Sequence, residues 1–381
     1  MPDLDTDSHF LRHALALARQ GIGLASPNPC VGAVLADNEG EIVGEGFYTY
    51  EGIRHAEIIA IERAGERTRG ATLYINLEPC SHLGRTGPCA DAVIAAQIRR
   101  VVACMSDPNP LVSGNGFDRL RAAGIVVETG MLENEAKALN ENFARYIRRH
   151  IPLVTLKGAM TLDGKIAPPP RTVTKLVSAA TWITGEAARA HVQQLRHQND
   201  AIMVGVGTVI ADDPLLTDRS GNPRRRPLSR VILDSRLRLP LESRIVQTAQ
   251  NDVIVLCSLA EEKKKKQLLR LGVRVEQIPV GSTDGRPDME AIVNFLGNLE
   301  ITGVLVEGGA HVNWAVLAAG VADKVVLYYA PTILAGSESI PFVEGAGFRT
   351  LRDAPRLKSV TLHHFGEDFA VEGYLRDPYT D

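Results

Sequence analysis

The sequence His55-Ala56-Glu57, together with Pro79-Cys80 and Pro88-Cys89, decides how the first half of this 381-residue chain folds. Residues two apart point to different sides of a helix, so His55 and Glu57 share a pocket most easily where a helix begins. A buried strand over 72–77 is expected to deliver Cys80. Proline suits the first turn of a helix, which puts Cys89 at a helix N-terminus, where the helix dipole favours a thiolate.

These residue types are typical of a zinc site. Imidazole and thiolates bind zinc, and the three predicted ligands His55, Cys80 and Cys89 leave a fourth position open for water. Zinc lowers the pKa of such water from about 16 to about 7. Glu57, which need not touch the metal, can move a proton from the water to a ring nitrogen and a departing amine. We therefore predict a catalytic zinc site of the deaminase type; the alternatives are a structural zinc or buried side chains without metal.

The composition excludes several classes of protein. The formal net charge is −3 and aromatic residues make up 5%, which argues against duplex and single-stranded nucleic acid as partners. No apolar run reaches the roughly 18 residues that span a bilayer, and the acidic N-terminus lacks the apolar core of a secretory signal. Five sparse cysteines do not resemble a disulfide framework, so we expect a reducing cytoplasm. The three cysteines outside the zinc pattern are expected in the core: Cys30, Cys104 and Cys257.

Both halves alternate strands and helices, which predicts the α/β class. Arg148-Arg149-His150-Ile151-Pro152 has the character of a charged helix end followed by a new strand, so we expect domains over residues 1–150 and 151–381. The first half is predicted to have strands at 42–47, 72–77, 100–105 and about 125–129. The second half is predicted to have a mostly parallel sheet, with strands at 153–159, 201–205, 230–234, 252–257, 274–278, 303–306 and 324–330.

Glycine turns follow several strands of the second half. Gly308-Gly309 come between a predicted strand and a helix, and Gly207 also follows a strand. Glycines there let backbone amides approach a phosphate, although no G-x-G-x-x-G fingerprint is present. Ser235-Arg236, at the end of another strand, can hold a ribose 2′-phosphate, which favours NADP over NAD. Each turn alone is ordinary, but their shared place at strand ends indicates a binding crevice.

The zinc pattern resembles that of the cytidine-deaminase-like superfamily, which implies a three-layer α/β/α domain. Its usual Pro-Cys-x-x-Cys is enlarged here to the stretch from Pro79 to Cys89. With Asn28-Pro29 before it and Asp107-Pro108-Asn109-Pro110 after it, this loop resembles the bifunctional deaminase/reductase family of riboflavin biosynthesis. The resemblance implies a small phosphoribosyl pyrimidine substrate, 2,5-diamino-6-ribosylamino-4(3H)-pyrimidinone 5′-phosphate. It also implies substrate contacts from Asn28, His82, Arg85 and Asn109.

The second half resembles the reductase domain of the same family, which has a dihydrofolate-reductase-like α/β fold. Matching stretches include Leu162-Asp163-Gly164-Lys165, the run 211–217 and Glu307-Gly308-Gly309. The resemblance implies that NADPH gives hydride to C1′ of the ribosyl group and opens the sugar to a ribityl chain. Residues implied to bind NADPH are Ala159, Trp182, Thr208, Asp212, Ser235, Gly308, Gly309 and Ala310.

The resemblance also implies a substrate site in the second half, formed by Lys157, Arg196, Leu216, Arg219 and Glu307. A guanidinium binds phosphate oxygens with two parallel N–H donors, so Arg196 and Arg219 suit the substrate phosphate, as Arg85 does in the first half. The alternative for each arginine is a solvated charge or a structural ion pair.

Four ionisable residues are the predicted catalytic set. Lys157, Asp212 and Glu307 can move protons as the sugar ring opens, and Glu57 serves the deaminase half. For the first three, too, the alternative is a structural ion pair.

The sequence departs from the family pattern at two positions. Tyr48 stands where a histidine usually follows Gly-Trp or Gly-Phe, and a phenol can also donate and accept hydrogen bonds. Ala180 stands where a small polar residue is usual, beside an insertion at about 168–177. Because one hydrogen bond is worth about 1 kcal/mol, we expect the reductase activity to survive this change.

Three functions are compatible with these sequence features. The leading hypothesis is a two-domain enzyme that deaminates and then reduces one riboflavin precursor. The second is a zinc deaminase for a free nucleoside or RNA base with a non-catalytic C-terminal module. The third, a zinc-stabilised nucleotide sensor, leaves Glu57 without a role. We expect a homo-oligomer, a dimer or tetramer, with no nucleic-acid or membrane partner.

Overall fold

The computed structural model describes residues 4–83, 87–169, 182–281 and 285–381. The chain forms two compact units. The first comprises Met1–Arg149 with Pro223–Arg226, and the second comprises His150–Asn222 with Pro227–Asp381. Within the described ranges, no helix combines the length and the apolar character needed to cross a membrane.

The first unit contains a five-stranded sheet in the order β2-β1-β3-β4-β5. Its strands are β1 Gly32–Ala36, β2 Ile42–Phe47, β3 Thr72–Ile75, β4 Arg100–Ala103 and β5 Val126–Thr129. β1 runs antiparallel to both of its neighbours, whereas β3, β4 and β5 are parallel. The accompanying helices are α1 Leu4–Arg19, α2 Ala56–Ala64, α3 Cys89–Ala95, α4 Asn115–Ala122 and α5 Glu133–Arg149.

Two glycines let helices approach this sheet from opposite faces. A Cβ on Gly32 would lie 2.1 Å from the carbonyl oxygen of Ala14 in α1, and a Cβ on Gly44 would lie 2.1 Å from that of Ala60 in α2. The register of β1 and β2 puts these glycines on opposite sides of the sheet. The first unit is therefore a three-layer α/β/α sandwich in which α2 packs directly on the sheet.

The second unit contains a nine-stranded sheet in the order β11-β10-β9-β8-β12-β6-β13-β16-β15. Seven strands are parallel: β6 Leu153–Thr161, β8 Ala201–Gly205, β9 Ser229–Leu233, β10 Val253–Cys257, β11 Val273–Gln277, β12 Gly303–Val306 and β13 Lys324–Ala330. β15 Lys358–Phe365 and β16 Asp368–Tyr374 add an antiparallel edge. β7 Lys165–Ala167 and β14 Ile340–Pro341 form a separate pair.

The helices of the second unit are α6 Glu186–Gln198, α7 Val206–Asp212, α8 Arg244–Gln247, α9 Glu262–Arg270, α10 Met289–Asn298 and α11 Ala310–Ala318. β8, β10 and β12 carry continuous apolar runs that are buried on both faces, whereas the edge strand β11 alternates between buried and more exposed residues. Because these strands are parallel, their carboxyl ends meet along one edge of the sheet, where ligand sites of open α/β sheets form.

Two features differ from the sequence-based expectations. We predicted a glycine turn after β8, but residues 206–212 form the helix α7, because burial of Val206 and Val209 outweighs the poor helix propensity of Gly207. We did not predict the β15–β16 hairpin. β15 is largely exposed, so it lacks the buried alternation by which a strand is usually detected.

Candidate active sites

The start of α2 brings a histidine and a glutamate of the first unit into one pocket. His55 is the N-cap residue, with an extended backbone (φ −71°, ψ 158°), and Glu57 lies in the first helical turn. The Ile59 amide donates to the His55 carbonyl at 3.1 Å, which begins the helical hydrogen bonding. His55 therefore has an extended backbone and Glu57 a helical one. This is the arrangement at a helix start that their two-residue spacing predicted.

The two cysteines come from separate chain segments. Cys80 follows the end of β3, and Cys89 is the first residue of α3 after its N-cap Pro88. The Cys89 amide lies 3.4 Å from Cys80 Sγ, and the Ala90 amide donates to the Cys80 carbonyl at 3.1 Å. These contacts close the loop between the cysteines at its base.

The His55, Cys80 and Cys89 side chains form a metal-ligand cluster. His55 Nδ1 lies 3.1 Å from Cys89 Sγ and 3.6 Å from Cys80 Sγ, and all three ligand atoms lie within 4.8 Å of one another. Tetrahedral zinc with nitrogen and sulfur ligands sets such atoms about 3.6 to 3.8 Å apart. The donor types fit zinc, and the His55–Cys80 separation matches this geometry, whereas the His55–Cys89 separation is about half an ångström shorter.

The pKa values of the two cysteines are shifted in opposite directions, since the hydrogen bond to Cys80 and burial raise the pKa of Cys89. A hydrogen bond from Cys89 and a second from His55 lower the pKa of Cys80 to about 4, which makes it a thiolate. Burial raises the pKa of Glu57, which is 3% exposed. Its Oε2 atom is buried and has no hydrogen-bond partner in the described part of the chain. A buried carboxyl oxygen without a partner is costly unless a ligand completes its hydrogen bonding.

Glu78 is a structural residue of this site that the sequence analysis missed. Its buried carboxylate accepts hydrogen bonds from four backbone N–H groups, of Asp107 (3.0 Å), Gly114 (2.9 Å), Gly116 (2.8 Å) and Phe117 (3.3 Å). Two of these donors belong to the first turn of α4. The carboxylate thereby holds the segment that leads to Cys80 against the start of α4. The sequence feature that could have indicated this role is an acidic residue at the end of a predicted buried strand.

Gly116 makes this attachment possible. A Cβ at this position would lie 2.0 Å from the carbonyl oxygen of Pro79, so only glycine lets α4 approach Pro79 so closely. Pro79, the residue before Cys80, thus packs directly against α4. The side chain of the preceding Glu78 is hydrogen-bonded to the start of the same helix.

One predicted substrate residue of the first unit, Asn28, is linked to the metal ligand His55 through Tyr48. Asn28 Nδ2 donates to the Tyr48 hydroxyl at 2.7 Å, and the Tyr48 ring meets the His55 ring edge-on, with centroids 5.4 Å apart. Tyr48 is 4% exposed. The phenol therefore fixes the orientation of the Asn28 amide and packs against the His55 imidazole.

The remaining predicted substrate residues of the first unit are placed differently. Asn109 Oδ1 accepts from the Leu111 amide at 3.1 Å, within a local turn. His82 is exposed, and burial raises the pKa of Asp107, two residues before Asn109, to about 6. Arg85 lies outside the described residues, as does Ala180.

A second cluster of charged side chains lies in the second unit. Arg196 of α6 binds Glu307 through Nε (2.7 Å) and Nη2 (2.9 Å), and Lys157 Nζ lies 3.9 Å from Glu307 Oε2. The register pairs Leu156 of β6 with Val306 of β12, which brings Lys157 and Glu307 side by side. The exposed fraction of each side chain is between 10% and 14%.

Burial and charge oppose each other in this cluster. Burial lowers the pKa of Lys157. Burial alone would raise the pKa of Glu307, but the charges of Arg196 and Lys157 hold it below its ordinary value. The cluster thus keeps an ionised carboxylate next to an ammonium group whose proton is easier to remove than usual.

Several residues predicted to bind NADPH meet at the carboxyl ends of the parallel strands. The Gly309 amide donates to Thr208 Oγ1 at 3.1 Å, and the Gly205 amide donates to the Gly308 carbonyl at 3.0 Å. Gly308 has φ 90°, a conformation that favours glycine. The other predicted residues flank this turn or nearby strands: Ala159 in β6, Ser235 after β9 and Ala310 at the start of α11.

Two of the residues predicted to bind NADPH, Trp182 and Asp212, are not joined to the charged cluster around Glu307 in the described part of the chain. Trp182 is 62% exposed and lies against the Arg189 guanidinium, whose carbon is 5.1 Å from the ring centroid. Asp212 is exposed at the end of α7, and among the described residues it makes no ion pair with Lys157. Leu216 is 5% exposed with φ 53°, in the same loop as Arg219.

Metal content provides a test of the ligand set. Cys89→Ser should reduce bound zinc from about one per chain to near zero after dialysis against a mild chelator, because it replaces a buried thiolate ligand with a weaker donor. Cys104→Ser, which changes a buried cysteine outside the cluster, should retain zinc. Equal zinc content in the two variants would contradict the assignment.

The Glu78 network provides a test by stability. Glu78→Gln turns an amide N–H₂ toward backbone N–H donors and should lower the free energy of unfolding by about 2 kcal/mol, measured by urea denaturation of the zinc-loaded protein. The exposed Glu66→Gln serves as control and should unfold as the wild type does. A Glu78→Gln variant of wild-type stability would show that the network contributes little.

Two sequence-family models match the chain. The model described as cytidine and deoxycytidylate deaminase zinc-binding region matches residues 4–105, and the RibD C-terminal domain matches residues 152–371. The riboflavin biosynthesis protein RibD of Actinobacillus pleuropneumoniae is 41% identical over 374 residues, covering 98% of this chain and 96% of the relative. That of Aquifex aeolicus is 40% identical over 367 residues, covering 96% and 98%.

Solved structures agree with these matches along nearly the whole chain. Acinetobacter baumannii RibD has a TM-score of 0.82 at 36% identity, covering 98% of this chain and 99% of that one. A Thermotoga maritima diaminohydroxyphosphoribosylaminopyrimidine deaminase/5-amino-6-(5-phosphoribosylamino)uracil reductase has a TM-score of 0.81 at 35% identity, covering 97% and 99%. The chain therefore belongs to the RibD family of bifunctional deaminase/reductases of riboflavin biosynthesis.

Proposed function

We propose that the chain deaminates 2,5-diamino-6-ribosylamino-4(3H)-pyrimidinone 5′-phosphate and then reduces its ribosyl group with NADPH, giving 5-amino-6-(5-phosphoribitylamino)uracil. The observation that carries the first step is the buried, unpartnered Glu57 oxygen beside the His55, Cys80 and Cys89 ligand atoms. The name of the Thermotoga maritima relative supports the choice of substrate. A homo-oligomer and a cytoplasmic location remain predictions.

In the deaminase step, the chain supplies the ligands and the proton carrier. Zinc held by the three ligands would make water nucleophilic near neutral pH. Glu57 takes a proton from the attacking water at its unpartnered oxygen and delivers it to a ring nitrogen. It then carries the remaining proton of that water to the amine, which leaves as ammonia while the oxygen becomes a carbonyl. Asn28, with its amide oriented by Tyr48, is proposed to bind the pyrimidine edge. His82, Asn109 and Arg85 are proposed as further substrate contacts.

In the reductase step, Lys157 and Glu307 are proposed to act on the ribosyl ring. NADPH, held by the residues proposed below, would supply hydride to C1′. The bond from C1′ to the ring oxygen breaks, and that oxygen takes up one proton. The lowered pKa of Lys157 suits a proton donor, and Glu307 holds its ammonium group in place. Asp212, the last residue of α7, is proposed to assist in this step.

The glycine turns at the strand ends support the proposal of a dinucleotide site. Space is open where a Cβ of Gly207 would stand, and the left-handed backbone of Gly308 turns the chain sharply before α11. Such glycine turns let backbone amides approach phosphates. The residues proposed to hold NADPH are Ala159, Trp182, Thr208, Asp212, Ser235, Gly308, Gly309 and Ala310.

One experiment tests both steps and their order. Wild-type protein given the diaminopyrimidinone phosphate should release ammonia without NADPH and should oxidise NADPH only after deamination. Glu57→Gln should slow ammonia release by about 10²–10⁴, since it removes the proton carrier, and should still reduce the deaminated compound supplied directly. Zinc content should stay unchanged.

The exposed Glu62→Gln on the same helix serves as control and should release ammonia at the wild-type rate. Unimpaired ammonia release by Glu57→Gln would overturn the proposed deaminase mechanism. Failure of the wild type to oxidise NADPH with the deaminated compound would overturn the proposed reductase step.

Tyr48→Phe tests the orientation of Asn28. Loss of the hydroxyl removes one hydrogen bond worth about 1 kcal/mol, so KM for deamination should rise about fivefold while kcat changes little. Tyr48→His retains a group that can bond to Asn28 and should stay closer to the wild type. A fall in kcat at constant KM would instead point to the Tyr48 contact with the His55 ring.

A further inference from the structure

The segment 215–220 of the second unit has a well-defined backbone path but no regular secondary structure. It follows α7 and contains no helix or strand, yet Leu216 is 5% exposed and the Asp218 side chain 6%. Leu216 has φ 53°, which is uncommon for a non-glycine residue. A segment of this kind requires contacts from elsewhere in the fold to hold its shape.

One face of α6 supplies these contacts. Gln193 Oε1 accepts from the Arg219 amide at 2.9 Å, Arg196 Nη1 donates to the Thr217 carbonyl at 2.9 Å, and His197 Nδ1 lies 2.9 Å from Asp218 Oδ2. These helix residues are spaced i, i+3 and i+4, so they lie on the same face. We call Gln193, Arg196 and His197 the α6 clamp.

Other hydrogen bonds fix the two ends of the segment. Arg230 Nη1 donates to the Leu215 carbonyl at 3.1 Å. Asp218 Oδ1 accepts from the Ser220 amide at 2.9 Å, so its carboxylate joins the clamp to the next turn. The backbone of residues 215–220 is therefore held along its whole length.

The same helix face reaches the Glu307 cluster. Arg196 uses Nε and Nη2 for Glu307 and Nη1 for Thr217, so all three guanidinium nitrogens already have protein partners. Arg219 is exposed, and among the described residues no hydrogen bond or ion pair of its guanidinium is found. Thr217, two residues before Arg219, accepts a hydrogen bond from the same guanidinium that binds Glu307, so the segment that carries Arg219 passes close to that carboxylate. Arg219 is thus the cation better placed to accept an anion.

The family resemblance already implies that Arg219 contacts the substrate, and its guanidinium suits the 5′-phosphate. We propose that the α6 clamp positions the 215–220 segment, and with it Arg219, for this contact. Gln193 and His197, with Asp218, are positioning residues for recognition of a phosphate monoester. This inference rests on the proposed reductase function. It goes beyond that function by assigning phosphate selectivity to residues that do not touch the substrate.

The test compares two substrates in NADPH-dependent reduction by the full-length protein. They are the deaminated ribosyl compound with its 5′-phosphate and the same compound without it. The measured quantity is the ratio of their kcat/KM values. Gln193→Ala and His197→Ala should lower this ratio about tenfold, mainly through KM for the phosphorylated substrate, with KM for NADPH unchanged.

Two variants serve as controls. Gln194→Ala changes an adjacent, exposed glutamine of the same helix and should keep the wild-type ratio. His197→Asn retains an N–H donor for Asp218 and should restore most of the phosphate preference. If Gln193→Ala and His197→Ala lower the thermal midpoint but leave the ratio unchanged, the clamp has a purely structural role and the inference is wrong.

Arg219→Ala separates this inference from the proposed function. If Arg219→Ala removes the phosphate preference but Gln193→Ala does not, Arg219 is the anchor and the positioning role of the clamp fails. If Arg219→Ala keeps the full preference, both the anchor and the clamp inference fail while the reductase activity stands. If the wild type reduces neither compound, the proposed reductase function itself is overturned.

Discussion

The buried carboxylate of Glu78, with its four backbone N–H partners, is the interaction on which the first unit's site depends. A buried charge is tolerated only when hydrogen bonds replace its lost hydration, and here the partners come from two segments distant in sequence. The carboxylate fixes the approach of β3 to α4 and therefore the place of Cys80. The position of one ligand, Cys80, thus depends on the residue two before it in the chain, which is not itself a ligand.

The two sites are built on different physical principles. In the first unit, His55 and Cys89 stand where helices begin, so local backbone geometry aims them at one point. In the second unit, Lys157 and Glu307 stand on neighbouring parallel strands, and their geometry comes from strand register together with a charge pair shielded from water. Arg196 completes that pair, which explains how an ionised carboxylate is stable in a nearly buried position.

The sequence was sufficient for the α/β class, the family and the zinc cluster, because these follow from periodicity and from a few residues of distinct chemistry. The strands 42–47, 201–205, 303–306 and 324–330 lie where we predicted them, since each is a short apolar or alternating run. Helix α7 was missed because glycine disfavours helices in isolation, and its burial depends on the folded sheet. Glu78 and the α6 clamp were missed because their roles exist only through contacts between distant segments.

The loop between Cys80 and Cys89 has a consequence for how such enzymes diversify. Its two ends are tied together by the Cys89 amide at Cys80 Sγ and by the Ala90 amide at the Cys80 carbonyl. A loop closed at its base can lengthen or shorten without moving its anchor points, and the entropic cost grows only slowly with length. The length of this loop can therefore change during evolution without moving the two cysteines. Such a change can alter which molecules reach the metal site while the hydrolytic chemistry stays the same.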